Sequence, residues 1–349
     1  MKIEKNKKFK SLVLNKDRPI ITAIKRIQNN TLKTLAIVNS QNKLVGTLTD
    51  GDIRRGILKG ININDPVMNV VNKKPAKKVL GKKNYYGLGK NINISILPVV
   101  NKKNILKSIE PNSYFNFKNF SDNTQIIIMA GGFGKRLMPL TRKIPKPLIK
   151  VNKKTLIEII IDNFRKYGFS EFKISTFYKS NLIRKYLDKK NLGLKIEYLK
   201  EKSPLGTAGC LGLLNYKKLK DNVLIHNGDV ISDLNISNLL KFHIDSQSDI
   251  TVCAKEKINP SPFGQIFFKG HKIKKILEKP NSKNFINAGI YILKKSVIKN
   301  ILPKRLDITS LIETKISEGL NVNIYPIYEY WVDIGRKDIL KEVLSKKNT

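Results

Sequence analysis

The chain has 349 residues, 41% hydrophobic and 27% charged, with a formal net charge of +40. That composition fits a folded protein of about two domains. It contains no apolar run near the roughly 18 residues of a membrane span. The basic start MKIEKNKKFK has no apolar stretch behind it, which excludes a secretory signal. Two cysteines without CxxC spacing exclude a zinc site and a disulfide framework, so a reduced, cytoplasmic setting is expected. Ten of the 67 basic residues are arginine, and lysine is spread along the whole chain. A nucleic-acid surface clusters its cations and interleaves aromatics. The excess charge reads instead as lysine-rich solvated faces that attract anionic substrates. Neither nucleic acid nor membrane is an expected partner.

Residues 1–15 read as a lysine-rich lead-in. From Pro19 a small α/β unit is expected: a helix from Ile20 through Gln28, strands Thr34–Val38 and Leu44–Leu48, and a helix Asp50–Leu58. At the second strand–helix junction, Thr49 and Asp50 stand where an N-cap is wanted and Asp52 lies in the first turn. This junction resembles the nucleotide-facing motif of a CBS domain, a regulatory module that occurs in pairs. The resemblance implies that Thr49 and Asp52 hold the ribose and phosphate of AMP or ATP. The competing reading is a helix cap and nothing more. A second copy is expected from Asp65 to about Ile109, with Ser95–Val100 as a strand but no Thr-x-x-Asp after it. The division is a tandem CBS regulatory domain over 1–110, a linker over 111–123 and a catalytic domain over 124–349.

From Gln125 strands and helices alternate, the pattern of a mostly parallel sheet with helices on both faces. Strands are expected at Ile126–Ala130, Phe172–Thr176, Lys195–Leu199, Val223–His226, Ile250–Ala254, Gln265–Phe268, Ile273–Glu278 and Ile286–Leu293. Helices are expected at Thr155–Tyr167, Asn181–Leu187, from about Thr207, at Asn235–His243 and at Asp307–Glu318. Trp331 to Gly335 closes the domain.

The chemistry centres on IIIMAGGFGKRLMPLTRKIPKPLIKV, residues 126–151. An apolar strand runs into Gly131, Gly132 and Gly134, with Lys135 and Arg136 directly behind. Glycine bends the backbone sharply and leaves amide groups close to a ligand. A cation-rimmed glycine turn is suited to a polyphosphate. It is neither a P-loop nor a dinucleotide fingerprint, because no Gly-Lys-Ser/Thr follows and Leu137 stands where the third glycine belongs. Asp229, after a strand in Asn-Gly-Asp, and Asp333, in Trp-Val-Asp-Ile-Gly, each sit at a strand end, where open α/β sheets bind ligands. Two carboxylates beside phosphates suit Mg²⁺. His226, His243 and His271 are scattered and read as structural, and no nucleophile–base pair is legible.

With these residues in order, GGFGKRLMPLTRKIPKPLIKV followed by SPLGTAG, HNGD, EKP, NAGIYIL and WVDIG resembles the sugar-phosphate nucleotidyltransferases over about residues 125–345. The family implies a Rossmann-like three-layer α/β/α fold. It also implies Mg²⁺-dependent attack of a sugar 1-phosphate on the α-phosphorus of an NTP, giving NDP-sugar and pyrophosphate. Carried over, Gly131, Gly132, Gly134 and Gly206 bind the nucleotide, Arg136 the β- and γ-phosphates, and Lys146 the α-phosphate. Asp229 and Asp333 hold the metal. Glu278 bonds a sugar hydroxyl, Lys279 the sugar phosphate, and Asn287 and Gly289 line the sugar pocket. Lys135 departs from the small hydroxyl residue often found before the arginine. The CBS pair makes the chain similar to glucosamine-1-phosphate guanylyltransferases, which points to GTP with glucosamine 1-phosphate or a related hexose 1-phosphate, and to a homo-oligomer. The alternative is an inactive protein that senses nucleotides or sugar phosphates, against which Arg136, Lys146, Asp229, Lys279 and Asp333 all stand intact.

Overall fold

The computed structural model describes residues 7–30, 32–80, 85–86, 95–111, 121–151 and 153–345. The chain forms two compact units, 1–118 and 119–349. Most of the expected linker lies outside the described residues.

In the first unit a three-stranded sheet has Thr34–Val38 at its centre, parallel to Val13–Asn15 and antiparallel to Leu44–Thr49. From Lys7 the lead-in forms a short helix, Lys7–Ser11, and the strand Val13–Asn15. Phe9 and Leu12 are buried and join Val38, Leu44, Ile96 and Leu106 in one core, so the apolar residues between the lysines fix it. The second half forms a four-stranded sheet of Lys77–Val79, Tyr85–Tyr86, Ile96–Val100 and Leu106–Pro111. The two halves meet at their opening prolines: Pro19 bridges Pro66, Ile20 N–H donates to Asp65 O, and Val67 N–H to Arg18 O.

The second unit is built on a seven-stranded sheet. Its strands are β1 (Thr124–Met129), β2 (Glu171–Thr176), β3 (Lys195–Lys200), β4 (Asn222–Asn227), β5 (Ile250–Pro260), β6 (Asn281–Lys294) and β7 (Val322–Ile327). Their order is β3-β2-β1-β4-β6-β5-β7, with β6 antiparallel to both neighbours and every other pairing parallel. The fold is mixed α/β, as expected. Alternation in β1 shows why both faces are covered: Ile126 and Ile128 enter one apolar cluster and Ile127 the other. The first cluster receives α1 (Leu156–Arg165), α2 (Ser180–Lys190) and α3 (Ile236–Asp245). The second receives α4 (Ile308–Ser317). In α1, Ile157, Ile160, Ile161 and Phe164 recur at helical spacing. Thr155 caps it in a box with Glu158.

Three of the elements that went unread in the sequence bear on the sheet and its site. β7 carries Pro326, which reads as a strand breaker, but β7 is an edge strand where a missing donor is tolerated. Val230–Ser232 is only three residues long. α5 (Lys337–Ser345) follows Gly335 and buries Leu340 and Val343 against Leu137 and Ile149, beside the glycine loop. β5 and β6 also run beyond their expected ends. Their outer halves pair with each other from Glu256–Phe285 to Pro260–Asn281, held by the ladder and little by burial. Between them Gln265–Lys269 and Lys272–Leu277 form a separate two-stranded hairpin.

Candidate active site

In this strand order β1 continues to β2 on one side, while β4 lies on the other. The crevice between the carboxyl ends of β1 and β4 is therefore the switch point of the sheet, where doubly wound folds bind ligands. The two strands end in register, Met129 opposite Asn227, and Gly228 N–H donates to Met129 O at 2.9 Å. A cavity of about 250 Å³ opens there. Gly131, Gly132, Phe133, Lys146, Glu201, Gly206, Asn227 and Asp229 are among its lining residues.

The glycine loop is fixed from behind. Gly134 adopts φ 66°, and a Cβ there would meet the Thr141 methyl at 2.7 Å. Thr141 Oγ1 in turn donates to Gly134 O at 2.9 Å. Tyr178 N–H donates to Gly131 O, and the Tyr178 ring stands 5.5 Å from that of Phe133. Glycine is thus required at Gly134 for backbone shape and for room.

The acids are brought together by a short ladder. Val230–Ser232 pairs antiparallel with Trp331–Asp333, Val230 opposite Asp333, and Ile334 N–H donates to Asp229 O at 2.9 Å. Trp331 Nε1–H donates to Ala288 O, tying this ladder to β6. Lys146, buried at the start of a 3₁₀ turn, forms an ion pair with Asp229 Oδ2. Asp333 Oδ1 is buried and has no hydrogen-bond partner among the described residues. Burial and the neighbouring Asp229 charge push the Asp333 carboxyl above its usual value, against the opposing pull of Lys146 and Arg136. Gly335 is the point of closest approach: its Cβ would lie 3.0 Å from both Arg136 Nη2 and Asp333 Oδ1. Arg136, exposed on the 3₁₀ turn after the glycine loop, therefore reaches the Asp333 end of the site.

Such a donor set fits a hard divalent cation. A buried carboxylate oxygen without a partner, beside a second carboxylate, gains most from a cation that accepts oxygen ligands. No group of three or more His, Cys, Asp or Glu is placed to hold a metal among the described residues. A cation at Asp229 and Asp333 therefore needs further oxygens from a ligand.

The remaining expected residues are less gathered. Gly289 (φ 71°) abuts the Asn227 side chain. Asn287 Oδ1 accepts from Gly289 N–H at 3.0 Å and from the Tyr291 hydroxyl at 2.8 Å. Glu278 and Lys279 are exposed past the hairpin strand Lys272–Leu277 and outside the cavity lining, Glu278 facing Gly264. Two contributors went unnoticed in the sequence. Glu201 is buried, accepting from Ser175 Oγ at 2.5 Å and Leu205 N–H at 2.9 Å, with its carboxylate against Gly131. Its signal was its place two residues before Ser-Pro-Leu-Gly, at the end of a strand. Asn227, in Asn-Gly-Asp, lines the cavity with a buried Oδ1 that has no partner among the described residues.

His226 and His243 are structural. Burial lowers His226 to about 4, although the Asn227 carbonyl and Asp229 favour its charged form. It donates to Asn227 O and packs edge-on against Phe164. Burial, with the nearby Lys294 charge, lowers His243 to about 4 as well.

In the first unit Thr49 and Asp52 form a complete capping box. Thr49 N–H and Oγ1–H donate to Asp52 Oδ2 at 2.9 and 2.7 Å, Asp52 N–H returns to Thr49 Oγ1, and Arg55 holds Asp52 Oδ1 at 2.5 Å. Next to it Arg54, 1% exposed, makes a bidentate pair with Asp50.

A family model described as Nucleotidyl transferase matches residues 125–348. The chain belongs to the nucleotidyl transferase family. A CBS domain model matches residues 8–59 of the same nucleotidyl transferase family chain. The chain is 34% identical over 223 residues to a mannose-1-phosphate guanylyltransferase catalytic subunit beta of Dictyostelium discoideum, covering 61% of this chain and 62% of that protein. It is 31% identical over 217 residues to a putative mannose-1-phosphate guanyltransferase of Sulfolobus acidocaldarius, covering 60% and 59%. The chain thus spans about three fifths of the length of these curated relatives. Its fold is shared with crystalline HddC from Yersinia pseudotuberculosis, at TM-score 0.52 and 24% identity over 64% of this chain and 99% of that one. No helix among the described residues is long and apolar enough to cross a membrane.

Proposed function

We propose that this protein transfers a guanylyl group from GTP to a hexose 1-phosphate in the cytoplasm, releasing pyrophosphate. The observation that carries the reaction class is the Lys146–Asp229 ion pair beside the unpartnered Asp333, set at the sheet's switch point next to the glycine loop. A phosphoryl-type transfer needs positioned charge and no protein nucleophile. The amides of Gly131, Gly132 and Gly134, with Gly206, receive the nucleotide. Arg136 draws on the β- and γ-phosphates, and Lys146 on the α-phosphate. An oxygen of the sugar 1-phosphate bonds to the α-phosphorus, and the bond to the bridging β-oxygen breaks. Asp229 and Asp333 would hold Mg²⁺, which when bound supplies positive charge to the phosphates. Asn287 and Gly289 face the sugar. Glu278 and Lys279 serve a sugar hydroxyl and the sugar phosphate, and as exposed residues they must come inward when substrate binds.

Glu201 supports guanine as the base. Guanine is the nucleobase that presents two adjacent donors, N1–H and N2–H₂, on its pairing edge, and a carboxylate is acceptor-only. Uracil and thymine offer a single donor, N3–H, flanked by two carbonyls that a carboxylate repels. The relatives are named for mannose 1-phosphate, while the CBS arrangement suggested glucosamine 1-phosphate. The two halves of the first unit, meeting at Pro19 and Pro66, are read as a CBS pair that regulates the transferase through AMP or ATP.

Pyrophosphate release with each NTP against mannose, glucosamine and glucose 1-phosphates tests the reading. Release with GTP and one hexose 1-phosphate is expected. No release with any pair would favour the sensing protein. Glu201→Gln should cut the preference for GTP over UTP by at least about 10-fold, one hydrogen-bond pair's worth of discrimination. An unchanged preference would remove Glu201 from base choice.

A further inference from the structure

The surface between β5 and β6 stands apart from the rest of the second unit. Of the 21 exposed large apolar residues among those described, eight lie between Ile258 and Phe285. The hairpin Gln265–Lys269/Lys272–Leu277 gives them a common face. Ile266 stands directly opposite Ile276, and Phe268 opposite Ile273. Residues directly opposite share a face, as do residues two apart, so these four side chains point the same way. They are 53, 59, 72 and 58% exposed, and Phe263, in the loop leading into the hairpin, is 76% exposed. Scattered apolar residues are ordinary on a surface, but a contiguous apolar face marks a contact surface.

Charge decides what the contact is. Residues 256–285 carry seven lysines and two glutamates, a net charge of +5 (7 − 2), and no arginine. Lys269 and Lys272 pair at the tip, Lys275 lies on the opposite face across from Phe267, and Lys274 is the extra residue of a bulge. An apolar face on a ribbon whose tip and reverse face carry lysines has an anionic bilayer as its complement: the apolar side chains enter the headgroup–acyl boundary while the flexible lysine stems carry their charges up to the lipid phosphates. A second copy would bring an equal positive charge to the contact. Single-stranded nucleic acid would gain stacking from phenylalanine but nothing from the three isoleucines.

We propose that this hairpin docks the protein peripherally on an anionic membrane surface. This needs no membrane-spanning helix, of which there is none among the described residues, and it departs from the expectation that a membrane has no part. It places the docking contact two residues from Glu278 and three from Lys279, so surface binding and the sugar side of the site share one hairpin.

The full-length protein should co-sediment with vesicles of phosphatidylcholine plus phosphatidylglycerol and not with phosphatidylcholine alone, and added salt should weaken the binding. The doubly substituted Phe268→Ser/Ile273→Ser keeps every charge and should bind at least about 10-fold more weakly. Its circular dichroism melt should match the wild type, since both side chains are exposed. Wild-type affinity in that variant would overturn the proposal, because the diffuse charge of the whole chain would then explain the binding. So would a wild-type protein left in the supernatant. Two further results would also overturn it: a dimer by light scattering that becomes monomeric on Phe268→Ser/Ile273→Ser without any vesicle binding, or an oligonucleotide that binds the wild type and not the variant. The pyrophosphate assay is independent of these arms, so failure of docking leaves the transferase reading intact, and the reverse.

Discussion

Two kinds of carboxylate stand at strand–helix junctions in this molecule, and they are treated in opposite ways. Asp52 in the first unit and Glu158 in the second occupy the same device. Each accepts from the backbone N–H and the hydroxyl of a threonine three residues earlier and closes the start of a helix. Their oxygens are taken: Arg55 completes Asp52, and Tyr186 and Lys190 complete Glu158. At Asp333 the protein leaves a buried carboxylate oxygen with no partner among the described residues, beside a second acid. A satisfied carboxylate holds a fold together, whereas an unsatisfied one is costly unless a ligand completes it. The difference separates these two caps from Asp333 more sharply than the sequence motifs do.

The largest expected effect is at Asp229. Asp229→Ala removes the partner of Lys146 and one of the two acids of the proposed metal site. Turnover should fall by at least about 10²-fold, the loss of one strong electrostatic stabiliser, with the circular dichroism spectrum unchanged. Near-normal turnover would move the chemistry away from the Asp229–Asp333 ladder and erase the distinction drawn above.

The two caps should fail by different amounts. Burial alone would raise the Glu158 carboxyl, but the Thr155 amide, Tyr186, Lys190 and the Thr155 hydroxyl outweigh it and hold it at about 2. A carboxyl lowered in the folded state adds stability above its unfolded pKa and loses it as pH falls toward the folded value. Glu158→Gln should therefore cost about 2 kcal/mol in urea unfolding at neutral pH, discounted for partly exposed partners, and much less near pH 2. A loss independent of pH would show that packing, not charge, holds that helix. Asp52→Ala should cost about 1 kcal/mol, as caps do. If the first unit also binds an adenine nucleotide, the same substitution should abolish the heat of AMP binding. Equal heats would leave Asp52 as a cap alone, the counterpart of Glu158.

This contrast also shows how far the sequence could be read. The glycine loop, Lys146, Asp229 and Asp333 were legible because each stands next to an apolar strand or in a short motif with unusual residues. The ladder that joins Asp229 to Asp333 was not. It pairs residues about a hundred positions apart through strands of three residues, too short for a period. β7 was hidden by Pro326, and Glu201 by standing among lysines where an exposed acid is unremarkable. Nor can a sequence tell Thr49–Asp52 from a ligand site, since cap and nucleotide grip use the same residue types. The hydrogen-bond partners of Asp52 complete the cap, and AMP binding with and without Asp52 is what separates the two readings.

The smallest effect expected has the opposite sign from the others. Burial first, and the Asp229 charge second, raise the Asp333 carboxyl, so the folded state holds its proton more tightly than the unfolded state. Stability from such a group is complete below the unfolded pKa and is lost as pH rises through the folded value. Asp333→Asn removes that loss. In chelator at neutral pH the variant should melt about 1–3 °C higher than the wild type, and the gap should close as the pH approaches the carboxylate range. Added Mg²⁺ with nucleotide should raise the melting temperature of the wild type and not that of Asp333→Asn, because only the wild type offers the second carboxylate. A variant that melts lower at neutral pH would mean that the unpartnered oxygen is already stabilised within the fold, and the cation would then have to be held by Asp229 without it.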